Sequence, residues 1–327
     1  MGEHFIKEIE IKDYKCFKNF KADGFARVNL IGGKNNVGKT AFMEACYIHL
    51  EAEDVMSFAG AMAEIKTMRE NINLLDALAL KKIEFNKELY IEYFEKFSGL
   101  NISINSVEKS FCIYIKDGLK EYEFLIGEKN VKINANDFSF SSIKYKNINF
   151  IDNFGLSNAN IISDFSAIQA KEKENFLNDI INKFDNKIES FKIMIDKPKC
   201  KMDGEYYELT EFGDGLRHLI SIVIELFRCE NGNLFIDEID NGIHYTQLDD
   251  IWKIILEVSK TLNVQVFATT HSKECIESYA RVSNELKDDD ISLIELGKDK
   301  QDNLKAIVMN NQRFQRELKN GNGVRGW

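Results

Sequence analysis

Gly33-Lys34-Asn35-Asn36-Val37-Gly38-Lys39-Thr40 places two glycines, a lysine and a hydroxyl at the spacing G-x-x-x-x-G-K-[ST]. That spacing serves phosphate chemistry. The glycines permit backbone angles that a Cβ forbids, so consecutive N–H groups can turn inward on an anion. The Lys39 ammonium can reach the β- and γ-phosphates of a nucleotide, and the Thr40 hydroxyl can ligate Mg²⁺. Ala41 opens the helix whose N-terminus adds positive potential. Far downstream, Asn233-Leu234-Phe235-Ile236-Asp237-Glu238 is an apolar run ending in two acids. Asp237 is expected to hold the Mg²⁺ shell, and Glu238 to polarise the attacking water as general base. Residues 264–272 form another apolar run with a polar end, and His271 there is expected to hydrogen-bond the γ-phosphate. Ser272 reads as the N-cap of the helix that follows. Gly213, Asp214 and Gly215 precede an apolar helix. They read equally well as a second anion nest or as an ordinary capped loop.

The elements that must position these groups follow from hydrophobic periodicity. Residues 27–31 read as a buried strand feeding the glycine loop, and residues 41–46 as the start of a helix. Residues 5–11 alternate as a half-buried strand, and residues 14–20 read as a basic, aromatic link. Residues 53–96 read as mostly helical. Strands are predicted at 111–115 and 121–126 about an Asp117-Gly118 turn, and at 147–152 as a return to the core. A helical stretch is predicted over 163–184, then strands near 191–195 and 205–209 about Asp203-Gly204. Beyond residue 210, helix and strand alternate, which implies a parallel sheet. The predicted fold class is α/β, a P-loop NTPase with a parallel core sheet, an antiparallel β subdomain and a helical lobe. We expect one head over residues 1–327, with a core of 1–52 and 146–327 and an inserted lobe of 53–145.

Composition limits the function classes. The chain has 327 residues, 44% hydrophobic and 29% charged, with a net charge of −10. That balance excludes a uniformly basic nucleic-acid surface, though not a local patch. Lys197, Lys199 and Lys201 form one small basic cluster, and Arg313, Arg316, Lys319 and Arg325 another; both read as solvated faces. Asp288-Asp289-Asp290 reads as a solvated turn, because consecutive acids point apart. The six cysteines are scattered without C-x-x-C, so neither a zinc site nor a disulfide framework is indicated. The N-terminus lacks a signal-peptide core, and no apolar run reaches the ~18 residues of a membrane span. The expectation is a reduced, cytoplasmic protein with no membrane partner.

Taken in order, these motifs resemble the ABC-type ATPases of the RecF/SMC/OLD branch. Gly213-Asp214-Gly215 looks like the signature, Asp237-Glu238 like Walker B, and Asp240-Asn241-Gly242 like the D-loop. Ala268-Thr269-Thr270-His271-Ser272 looks like the switch segment. The wording of the last two is most similar to stand-alone OLD-like ATPases, often described as AAA-family ATP-binding proteins. The resemblance spans roughly residues 5–50 and 145–318. It implies an ABC-type head, ATP and Mg²⁺ as cofactors, nucleotide sandwiched in a homodimer, and a role for Asp240 across the interface. The family's Q-loop glutamine has no clear counterpart, Gln169 being a poor candidate, and the signature lacks the serine of transporter-type heads. The nuclease domain of full OLD enzymes has no counterpart after His271.

Three functions compete. The first is an ATPase switch or sensor acting on a separate effector such as a nuclease or toxin, as in bacterial anti-phage systems that such proteins resemble; residues 53–145 would then carry the partner surface. The second is a RecF-like repair ATPase that binds DNA, which requires a basic surface and steep salt dependence. The third, a transporter subunit, fits poorly with the atypical signature.

Overall fold

The computed structural model describes residues 2–69, 96–116, 118–127, 129–134 and 146–320. The chain opens with β1 (Glu8–Tyr14), β2 (Phe17–Asp23), β3 (Val28–Gly33), α1 (Lys39–Glu51) and α2 (Val55–Arg69). Four strands follow, β4 (Leu100–Ile104), β5 (Val107–Lys116), β6 (Leu119–Ile126) and β7 (Lys129–Asn134), and then β8 (Ile148–Ile151). Next come α3 (Asn158–Asp164), α4 (Ser166–Gln169), α5 (Glu174–Phe184), β9 (Ile188–Met194), β10 (Lys197–Met202), β11 (Glu205–Glu208) and α6 (Asp214–Arg228). The last part is β12 (Asn233–Ile236), α7 (Leu248–Thr261), β13 (Gln265–Thr269), α8 (Lys273–Glu285), β14 (Ile291–Lys298), β15 (Leu304–Asn310) and α9 (Asn311–Lys319).

The central sheet runs β15-β14-β3-β13-β12-β8. From β14 to β8 every pairing is parallel, and β15 closes the edge antiparallel. Parallel strands need cover on both faces, and alternation along each strand supplies it. Phe150, Phe235 and Phe267 sit side by side on β8, β12 and β13, with successive rings 6.2 and 5.7 Å apart. This aromatic row faces α1 through Phe42 and Tyr47. The opposite face of the same strands, Leu234, Ile236, Val266 and Ala268, joins a second core with α6, α7 and α8. A six-stranded antiparallel sheet, β2-β1-β4-β5-β6-β7, packs on the α1 side and contributes to the first core. Strands on either side of the inserted segment's boundary thus share one sheet.

Several expectations need correction. Residues 14–20 are not a link: β1 turns directly into β2, with Asp13 and Lys15 at positive φ making the tight reversal. The 163–184 stretch is broken into three helices, and Glu172 at φ 53° interrupts it before α5. An extra strand, β10, lies between β9 and β11; its lysines mask an alternation in which Pro198 and Cys200 turn inward. The alternating β4 is a further strand beyond those expected. Asp288 is not solvated: it is 6% exposed and pairs with the buried Arg27 guanidinium, while Asp290 takes the Arg27 N–H. Much of the predicted 53–96 helical stretch, Asp117 of the predicted turn, and Arg325 lie outside the described residues. No helix among the described residues is long and apolar enough to cross a membrane.

Candidate functional site

In a parallel sheet every strand delivers its C-terminal end to one edge, and ligands bind there. Here that edge collects the loop after β3, the acids after β12, the polar end of β13 and the turn after β8. In the β3 loop, Gly33 (φ 141°), Asn36 (φ 58°) and Gly38 (φ 98°) hold left-handed angles. A Cβ on Gly33 would sit 2.7 Å from the Leu296 carbonyl, and one on Gly38 would sit 2.6 Å from Cys16 Sγ. The loop is therefore pressed against β14 on one side and the β1–β2 hairpin on the other. Gly38 is the N-cap of α1, so the helix N-terminus opens into the loop. Lys34, Asn35 and Asn36 are exposed, Gly33, Gly38 and Thr40 are half-exposed, and Val37 and Ala41 are buried.

Lys39 Nζ donates to the Gly33 and Lys34 carbonyls at 3.0 and 3.1 Å and lies 3.2 Å from His271 Nδ1. Burial pushes the Lys39 ammonium down to about 8, against the upward pull of Asp237 and Glu238. Thr40 Oγ1 is 3.1 Å from both carboxylate oxygens of Asp237. His271 Nε2 is 3.9 Å from Glu238 Oε1. Glu238 holds φ 47°, a conformation rare outside glycine and asparagine. A pocket of about 220 Å³ opens beside these groups, lined by Thr40, Glu44, Asp152, Asn153, Asp237 and Glu238, with Phe150 and Phe154 among its apolar walls. The donor set of hydroxyl and carboxylate oxygens is hard and suits Mg²⁺. The glycine cradle and adjoining ammonium suit a polyphosphate. The residues present therefore fit both groups.

Asp240 does not line this pocket. Its Oδ1 accepts from Thr270 Oγ1 at 2.6 Å within the same chain. The Gly213-Asp214-Gly215 segment divides in two. Gly213 and Asp214 are exposed at the start of α6. Gly215 is buried, and a Cβ there would meet the Gly242 carbonyl at 2.2 Å, so it packs backbone against backbone rather than facing outward. Gln169 lies exposed at the end of α4 and is not among the residues lining the pocket.

Sequence reasoning missed Asp152, Asn153 and Glu44. Asp152 follows β8, whose Ile151 pairs with Ile236, so Asp152 stands beside Asp237 at the sheet edge. Burial and the neighbouring Asp237 charge both raise its carboxyl pKa. The readable signal was the predicted β8 strand itself, which ended in an acid just as β12 did. Glu44 lies one helical turn after Thr40, on the same face of α1.

Comparisons with known proteins bear on the activity and the fold. Residues 153–276 match the model of an AAA ATPase domain. The chain is 26% identical over 329 residues to an ATP/GTP phosphatase of Helicobacter pylori, covering 86% of this chain and 89% of that one. It is also 26% identical over 107 residues to an uncharacterized protein of Methanocaldococcus jannaschii, covering 33% of this chain and 44% of that one. Among solved structures, an Smc head bound to the C-terminal winged-helix domain of ScpA superposes with a TM-score of 0.52 at 12% identity, covering 94% and 98% of the two chains. The Smc head from Pyrococcus furiosus gives 0.50 at 11% identity, covering 98% and 100%. The domain match supports ATP hydrolysis, and the superposition shows an SMC-head-like fold.

Proposed function

We propose that this chain binds ATP with Mg²⁺ at the β3 loop, closes on a second copy of itself, and uses the cycle to switch a separate effector protein in anti-phage defence. The observation that carries the nucleotide site is the meeting of Lys39, Thr40, Asp237, Glu238 and His271 at one sheet edge. In this reading, residues Gly33 to Ala41 wrap the phosphates, and Thr40 and Asp237 would hold Mg²⁺, which would supply neutralisation of phosphate charge. Glu238 takes a proton from the attacking water as its oxygen bonds to the γ-phosphorus and the bond to the bridging oxygen breaks. Lys39 and His271 face the phosphate charge that shifts in that step. Gly213 and Asp214 lie exposed at a helix N-terminus outside the pocket, which supports their closing on the nucleotide of a partner copy. Asp240 would join that interface after leaving Thr270. The resemblance to OLD-like ATPases supports the defence role. The SMC head that superposes is bound to a domain of another protein, which supports a head that signals to a partner.

The test pairs three variants. Lys39→Ala is expected to lose nucleotide binding. Glu238→Gln is expected to bind ATP, slow hydrolysis by about 10²-fold or more, and accumulate as a dimer in light scattering. Gly213→Glu adds a carboxylate where nothing lies within 4 Å, so it should fold and bind ATP yet stay monomeric. Rapid turnover by Glu238→Gln sinks the base assignment, and ATP-dependent dimers of Gly213→Glu sink the closure. Tagged Glu238→Gln should also retain a stoichiometric effector from its native cells; nuclease-sensitive DNA without protein would replace the effector with DNA.

A further inference from the structure

The threonine that ends β13 touches both acids of the hydrolytic site. Thr269 Oγ1 donates to Asp237 Oδ1 at 2.6 Å and accepts from the Glu238 backbone N–H at 2.8 Å. Its single hydroxyl hydrogen goes to one acid while a lone pair holds the other. Thr269 is fully buried, and its backbone pairs with Ile31, just ahead of the glycine loop. Its carbonyl accepts from the Ile239 N–H at 3.0 Å, so the Glu238 peptide is gripped on both sides. This grip matters because Glu238 stands at φ 47°, a strained angle that persists only where surroundings impose it. The same hydroxyl shares the Asp237 carboxylate with Thr40, which fixes the plane of that carboxylate.

We propose that Thr269 is a positioning residue for the ATPase reaction, aiming the Asp237 carboxylate at the metal and fixing the left-handed backbone that points Glu238 at the water. The inference rests on the proposed roles of Asp237 and Glu238. A hydroxyl is required, because a methyl in its place leaves the Glu238 N–H without its acceptor and frees one side of Asp237. The γ-methyl is not required, so serine should serve.

The experiment compares Thr269→Val and Thr269→Ser with the wild-type chain. Three readouts are taken: kcat and KM for ATP, the Mn²⁺ affinity of the ATP complex by electron paramagnetic resonance, and the thermal midpoint. Thr269→Val should lower kcat by about 10- to 100-fold and weaken Mn²⁺ binding by about tenfold. Its KM should stay within about threefold, because the phosphate cradle is untouched. Thr269→Ser should restore both kcat and Mn²⁺ affinity. Wild-type kcat and Mn²⁺ affinity in Thr269→Val would overturn the proposal. So would a Ser variant as impaired as Val, which would mark a packing role. If Glu238→Gln turns over normally or Asp237→Asn leaves Mn²⁺ affinity unchanged, the underlying site assignment fails instead, and the two failures are thereby told apart.

Discussion

At the scale of single residues, the candidate site is built from side chains that already hold partners within the chain. Lys39 rests on two loop carbonyls and His271, and Asp237 is shared by Thr40 and Thr269. Burial lowers the Lys39 pKa from 10.5 to about 8. Phosphate binding favours the charged ammonium, so above pH 8 binding must be accompanied by proton uptake. ATP affinity is therefore expected to fall as pH rises from 8 to 10, approaching tenfold per pH unit, as measured with a fluorescent nucleotide. A flat profile over that range would remove Lys39 from the phosphate contact. The same shift has a stability counterpart of opposite sign. The folded chain binds fewer protons than the unfolded one between pH 8 and 10.5, so this residue's burial penalty shrinks as pH rises through that window.

At the scale of elements, the turn after β8 is the connection that sequence patterning left unread. It lines the pocket through Asp152 and Asn153 and is stitched to α6. Arg217 donates to the Leu156 carbonyl and to Asn158, and Ser221 Oγ accepts from the Leu156 N–H at 2.9 Å. Asn241 of the β12–α7 loop donates to the Asn153 carbonyl. The segment beside the proposed metal site is therefore tied to the helix whose N-terminus carries Gly213. Ser221→Ala removes the acceptor of a buried N–H, which costs about 1–2 kcal/mol in urea melts. Hydrogen exchange of the Leu156 amide should speed up tenfold or more. Unchanged exchange there would show that the turn is held by other contacts. The glycine pair Gly215 and Gly242 is the second tie at this level, since neither tolerates a Cβ without displacing the other's backbone.

At the scale of the whole molecule, two cores on opposite faces of one parallel sheet hold the edge in place. Where β8, α3 and α6 meet, the half-buried Arg228 donates to Glu225 and to the Lys146 and Ile148 carbonyls, with Asp164 within 3.8 Å. Burial pushes the Glu225 carboxyl up to about 8, despite Arg228, and Glu51 up to about 7. Both pKa values are raised by folding, so the stability they contribute is full below about pH 4.5 and is lost as pH rises towards 8. The thermal midpoint is expected to drop between about pH 4.5 and 8. Glu225→Gln, which keeps an acceptor for Arg228 without a charge to bury, should flatten that drop and stabilise the chain at pH 9 by about 1–2 kcal/mol. An identical pH slope in the variant would place the titration elsewhere.

The residues proposed to carry chemistry are legible in the sequence because their constraints are local. A glycine loop needs particular residues at fixed spacing, an apolar strand ending in acids announces a sheet edge, and Ser272 caps the helix after it as its type predicts. What the sequence left open depends on long-range contact. Nothing near Gly215 signals that Gly242 will lie against it, so a segment that reads equally as a nest or a capped loop is half packing contact. The acid run at 288–290 reads as solvated until Arg27, from the far end of the chain, is folded against it. Asp152 joins the pocket only because β8 crosses to pair with β12. Local periodicity and motif spacing determined most of the core strands and the candidate phosphate loop; strand order decided which strand ends meet, because neighbours in a sheet are chosen by crossover connections and not by adjacency in the chain.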